Sequence, residues 1–145
     1  MSISKQNSED SLQKACADYM RLQYPKSLWC HVPNGGNRNA VTGAILKSMG
    51  TKKGVPDLLI FDRRGEYSGL AIELKVIYKK QLKSGKISEK PNEPSPEQLA
   101  WLEGLYHNGW RTHVVYSFDS FKSIVDEYFG SIEKIFIPEI AINMN

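Results

Sequence analysis

Gly54-Val55-Pro56-Asp57-Leu58-Leu59-Ile60-Phe61 and Gly69-Leu70-Ala71-Ile72-Glu73-Leu74-Lys75-Val76-Ile77 decide how this chain folds. Each is an apolar run of strand length, and the polar stretch 63–68 between them reads as a turn, so Asp57–Phe61 and Gly69–Ile77 form a hairpin. Glu73 and Lys75 are two residues apart and therefore point to the same face of their strand. The strand around them is apolar, and a buried strand rarely places a carboxylate and an ammonium side by side without a reason. Asp57, at the start of the preceding strand, comes beside Glu73 if the two strands pair. Two carboxylates at one point attract a hard divalent cation, because hard ions prefer oxygen ligands. Asp57, Glu73 and the carbonyl of Leu74 thus form a candidate site for Mg²⁺ or Mn²⁺, with Lys75 placed to stabilise negative charge on a phosphate oxygen. The competing reading is a structural Glu73–Lys75 ion pair at a sheet edge.

Outward from this hairpin the chain reads as α, β, loop with short helix, β, β, α, β, α. A helix starts near Ser8, which serves as N-cap, with Glu9 and Asp10 in the first turn. Its apolar positions are Leu12, Ala15/Cys16, Tyr19 and Leu22. Leu28–Val32 is a short strand, Pro33 to Asn37 is loop, and Ala40–Met49 is a helix ended by Gly50. Tyr78–Pro94 is polar and lysine-rich and reads as a mobile loop. Ser95-Pro96-Glu97-Gln98 is a strong helix start, with Ser as cap, Pro first and Gln three residues on. That helix ends at Asn108 before Gly109. Thr112–Ser117 is a strand, Asp119–Phe129 a helix, and Ile135–Ile140 a last strand or a docked tail. The order implies an α/β sandwich around a small mixed sheet flanked by helices. Residues 1–7 read as a disordered lead-in and 8–145 as one domain.

With 145 residues, 41% of them apolar and 24% charged, the composition is that of one globular domain. No apolar run reaches the roughly 20 residues of a membrane span, and the N-terminus lacks a signal-peptide centre. Two cysteines, Cys16 and Cys30, make no disulfide framework. The expected location is cytoplasmic, with no membrane partner. Net charge is only +3, but residues 19–88 carry thirteen Lys/Arg against four acids, while both flanks are net acidic. A basic middle is either the footprint of a polyanion or a solvated lysine-rich surface. No Ser/His/Asp arrangement, phosphate-binding glycine loop or zinc spacing is present.

At these residues the sequence resembles a virus-type replication-repair nuclease (VRR-NUC) domain, a branch of the PD-(D/E)xK nucleases with their restriction-endonuclease-like α/β fold. The matching pieces are Glu9 with Leu12-Gln13; His31-Val32-Pro33-Asn34-Gly35-Gly36 with Arg38; Met49-Gly50 with Lys53 to Asp57; Gly69 to Lys75; Ser95 to Gln98 with Trp101-Leu102; and Gly109-Trp110. The match spans about residues 8 to 129. The resemblance implies metal-dependent hydrolysis of DNA phosphodiesters, with Asp57 and Glu73 as metal ligands, Lys75 as the catalytic lysine and Gln98 as the glutamine that orders the site. It also places Glu9, or its neighbour Asp10, near the metal. It implies a stand-alone phage or bacterial endonuclease, acting in host or bacterial cytoplasm as a homodimer on four-way junctions in DNA repair. Asn34, Gly35, Gly36 and Arg38 are expected to approach the DNA backbone, and Lys52, Lys53, Lys79 and Lys80 to contact phosphate. Tyr78 is the aromatic best placed to reach nucleic acid, while Trp29, Trp101 and Trp110 read as core and edge packing. Nothing reads base edges, so binding is expected to be sequence-nonspecific. The alternatives are a flap or duplex-nicking nuclease with the same site, or a DNA-binding module without catalysis.

Overall fold

The computed structural model describes residues 5–33 and 39–130. Ten elements follow in chain order: α1 (Lys5–Gln23), β1 (Trp29–His31), α2 (Ala40–Ser48), β2 (Leu58–Ile60), β3 (Leu70–Leu74), β4 (Ile77–Gln81), β5 (Ile87–Pro91), α3 (Pro96–His107), β6 (Arg111–Val115) and α4 (Phe118–Gly130). β1, β2, β3 and β6 form one mixed sheet in that spatial order. β1–β2 and β2–β3 are antiparallel, whereas β3–β6 is parallel. A parallel pair needs a crossover, and here α3 is the helix in that crossover. The α/β sandwich with a small mixed sheet is as the sequence implies.

The register explains which residues are core. Leu58 lies opposite Ile72 and Ile60 opposite Leu70, so these four share a face. That face, with Leu74 and Val115, packs on Cys16 and Met20 of α1 and on Phe121, Val125, Tyr128 and Phe129 of α4. Each fully buried side chain of this kind contributes about 1.5–3 kcal/mol. The two helices are also tied together by polar contacts. Tyr19 of α1 and Tyr24, just past its end, both donate hydroxyl hydrogen bonds to Asp126 of α4, and Tyr24 stacks on Phe129 at 4.3 Å. The other face of β3 carries Ala71 and Glu73, and α3 covers it.

Four expectations change. α1 begins at Lys5, ahead of Ser8, so Ser8 is inside the helix and residues 5–7 belong to it rather than to a lead-in. Leu22 is 77% exposed, and Met20 takes its place in the core one turn after Cys16. The long strand 69–77 is two strands. Beyond Lys75, whose N–H still bonds Val115 O, β6 offers no further partner, and Val76 O accepts from Asn92 N instead. The stretch 78–94 is therefore a two-stranded hairpin, not a mobile loop. Its three-residue connection, 83–85, puts Gly85 at φ +82°, the left-handed position such loops require. Ile135–Ile140 lies outside the described residues. No described helix is long and apolar enough to cross a membrane.

Candidate active site

The β2–β3 register, continued one residue past Leu58, sets Asp57 opposite Glu73. Asp57 is gripped from both sides. Its Oδ2 accepts the Leu74 N–H at 2.7 Å. Its carbonyl accepts the Val32 N–H at 2.9 Å and lies 2.8 Å from His31 Nδ1. A carbonyl only accepts, so that nitrogen carries the proton of the His31 ring. The loop before Asp57 is set by Gly54, at φ +86° with its Cα against the start of α3. A Cβ there would stand 2.6 Å from the Glu97 carbonyl carbon and 2.8 Å from Gln98 N. Gly54 thus locks the Asp57 loop onto the helix that carries Gln98. Gly54→Ala is expected to destabilise the fold by about 2–5 kcal/mol, from left-handed strain plus overpacking. A thermal melt indistinguishable from wild type would refute that lock.

Gln98 serves two structures at once. In the capping box of α3 its N–H bonds Ser95 Oγ and its Oε1 accepts the Ser95 N–H at 2.8 Å. Its remaining amide end donates from Nε2 to Glu73 Oε1 at 2.6 Å. Lys75 Nζ stands 3.5 Å from the same oxygen. Glu73 and Lys75 are both buried, whereas Glu73 Oε2 is buried without a hydrogen-bond partner. Buried polar atoms are normally satisfied, so this oxygen is an anomaly.

The electrostatics follow from burial. Glu73 is pushed up to about 8, first by desolvation and then by the charge of Asp57, with Lys75 opposing. Asp57 is also raised by desolvation, against the Leu74 amide and His31. Two adjacent carboxyls in a dry site cannot both ionise cheaply, so near neutrality the pair holds a proton. A cation relieves the same repulsion. The donor set therefore fits a hard divalent ion: two carboxylates, one with an unsatisfied oxygen. Among the described residues no three His, Cys, Asp or Glu side chains gather into a metal-binding group. Asp57 and Glu73 would thus need non-acidic oxygens, such as the Leu74 carbonyl, water and phosphate, to complete a coordination shell.

α1 runs along one side of this site. Glu9 is the inward acid, and its Oε1 accepts from Asn92 Nδ2 at 3.0 Å at the base of the β4–β5 hairpin, while Asp10 is exposed. One turn on, both amide atoms of Gln13 are buried without a partner. One more turn brings Cys16, whose thiol is pushed up to about 12 by burial and by nearby Asp57. Asn92 had no signal of its own in the sequence, because its bond to Glu9 depends on where the β4–β5 hairpin meets α1.

The expected DNA contacts divide. Asn34, Gly35, Gly36 and Arg38 lie outside the described residues. Lys52 and Lys53 are exposed on the loop leading to Asp57. Lys79 and Lys80 are exposed on β4, and Lys79 pairs with Glu89 at 3.3 Å. Tyr78 is half-buried at the hairpin base. Trp110 packs edge-on against Phe61, and Trp29 lies beneath Arg21 at 5.9 Å, both packing roles.

With this geometry in hand, solved structures offer a comparison. The chain is similar to a protein described as "VRR_NUC domain protein", with 27% identity over 84% of this chain and 88% of that one, and a TM-score of 0.62. A second, described as "VRR_NUC domain", is 22% identical over 83% of this chain and 96% of that one, with a TM-score of 0.46. No protein-family profile matches the sequence, and no curated protein does. The first of these likenesses supports a VRR-NUC domain in this chain.

Proposed function

We propose that this VRR-NUC nuclease domain is a divalent-metal-dependent endonuclease that hydrolyses phosphodiester bonds in branched DNA, four-way junctions first among them, as a homodimer. The observation that carries this reading is the convergence of Lys75 and Gln98 on one oxygen of Glu73, with Asp57 across the strand pair. Asp57 and Glu73 would hold Mg²⁺ or Mn²⁺, joined by the Leu74 carbonyl. Glu9 would be the third acid, its Oε1 already accepting from Asn92 Nδ2. Such an ion supplies charge neutralisation and a lowered pKa for an attacking water. Lys75 holds a fixed positive charge in a desolvated position, where it acts on developing phosphate charge far more strongly than in water. Gln98 fixes the Glu73 carboxylate, and its own rotamer is fixed by the α3 cap. A junction presents two equivalent scissile phosphates, and a two-fold dimer places one site on each. Free Cys16 and Cys30 suit a reducing, cytoplasmic setting.

The test is cleavage of end-labelled four-way junction, flap and linear duplex in EDTA, Mg²⁺ or Mn²⁺, with Asp57→Ala beside wild type and sedimentation for the oligomeric state. Paired symmetric cuts in the junction are expected, dependent on metal and lost in the variant. Metal-dependent cutting of flap or duplex alone would keep the site and remove the junction. Tight, salt-sensitive binding with no cutting under any metal would make the domain a binding module.

A further inference from the structure

The β4–β5 hairpin has two unlike faces. Residues directly across an antiparallel pair share a face and alternate along each strand. The register pairs Tyr78 with Lys90, Lys80 with Ser88, Lys79 with Glu89 and Gln81 with Ile87. The Leu82–Lys86 backbone bond extends it toward the tip. One face therefore holds Tyr78, Lys80, Leu82, Lys86, Ser88 and Lys90: three lysines and no acid. The other holds Ile77, Lys79, Gln81, Ile87, Glu89 and Pro91. Its single lysine is neutralised by Glu89 at 3.3 Å, and Ile77 and Ile87 are 44% and 65% exposed.

A second observation orients the arm. The Asn92 N–H bonds Val76 O at 2.9 Å, so the pairing continues inward and Asn92 stands on the basic face. Its side chain donates to Glu9 on α1. Tyr78, next outward on that face, is half-buried, so the base of the basic face turns toward α1 and the side of the domain where Glu9 lies. Farther out, Lys80, Lys86 and Lys90 are exposed. The basic face thus overhangs the α1 side, and the neutral face looks away.

We infer that the basic face of this arm, through Lys80, Lys86 and Lys90, is a phosphate-tracking surface for the DNA engaged by the active site, and that Lys79 takes no part in it. This rests on the nuclease reading and adds Lys86 and Lys90 while removing Lys79. Each phosphate neutralised by a lysine contributes about 0.9 to the slope of log K against log salt on duplex DNA.

The test uses the full chain and a labelled four-way junction in EDTA, with binding titrated across salt. Lys80→Gln and Lys90→Gln are each expected to lower the slope by about 0.9, and the double variant by about 1.8. Lys79→Gln, which removes the same charge, is expected to leave it unchanged. Thermal melts check that each variant is folded. Equal slope losses from Lys79→Gln and Lys80→Gln, or no loss from either, would overturn the inference. Metal-dependent cleavage by the unaltered protein is measured beside it. If that cleavage is seen and the faces behave alike, the face assignment falls and the nuclease reading stands. If the unaltered protein neither binds nor cuts DNA, the nuclease reading falls first.

Discussion

Lys75→Met is expected to slow junction cleavage about 10²–10³-fold while junction binding stays close to wild type. Lys75 is almost fully buried and 3.5 Å from Glu73 Oε1. Affinity for a polyanion is dominated by exposed cations that release counterions, and one buried ammonium adds little to it. Its effect falls instead on charge that develops during the reaction, which appears as lost turnover rather than lost binding. Methionine is chosen over alanine because the lysine stem fills space in the site and a cavity would confuse the result. A merely structural lysine is distinguished by the pH profile. The Lys75 charge holds the Glu73 carboxyl down against burial and Asp57. Without it Glu73 protonates more readily, so the residual activity is expected to rise toward higher pH than in wild type. Parallel loss of binding and cleavage, with an unmoved pH profile, would remove Lys75 from the chemistry.

The parts of this site that were legible in the sequence are those whose cause is local. Strand pairing follows from two apolar runs and a turn, and it brings Asp57 opposite Glu73 without further information. The Ser95-Pro96-Glu97-Gln98 start fixes α3 by capping alone, and the capping glutamine is the same residue that reaches Glu73. What stayed hidden depends on partners far along the chain. The strand through Glu73 and Lys75 stops after Lys75 because β6 ends at Val115, and nothing in residues 69–77 records where β6 ends. The hairpin beyond it is hidden for the opposite reason. All its residues from 79 to 91 are exposed, so it lacks the apolar alternation that marks a half-buried strand. The Ser84-Gly85 turn was its main local signal. Lys79 and Lys80 look equivalent as a pair of neighbouring lysines, and only the pleat separates them, one opposite Glu89 and one opposite Ser88. On α1 the choice between Met20 and Leu22 turns on a rotation fixed by α4, not by the helix's own pattern.

Glu73→Gln is expected to abolish metal-dependent cleavage and, in the absence of metal, to make the domain more stable than wild type at alkaline pH. Both effects come from one buried charge. The Glu73 carboxyl is raised from 4.5 to about 8 in the folded chain. Between those values the native state holds a proton that the unfolded chain has released. The stabilising contribution of this group is therefore complete below the unfolded value and is lost as pH rises through about 8. Above that, the folded domain carries an ionised carboxylate in a dry site beside Asp57. Glutamine has the same shape and keeps an oxygen for Gln98 Nε2, but it never ionises. Its amide nitrogen can also donate toward the Asp57 carboxylate, where Glu73 Oε2 has no partner. In EDTA, melting temperatures from about pH 5 to about pH 9 should fall more steeply for wild type than for the variant. The variant's slope is reduced rather than abolished, because burial raises Asp57 as well. Mg²⁺ or Mn²⁺ should restore wild-type stability most where both carboxylates are ionised, since metal binding displaces the shared proton. It should do little for the variant, which has lost one of the two anionic ligands. Identical pH slopes in EDTA, or equal stabilisation of both proteins by metal, would mean that Glu73 is neither the strained charge nor the ligand.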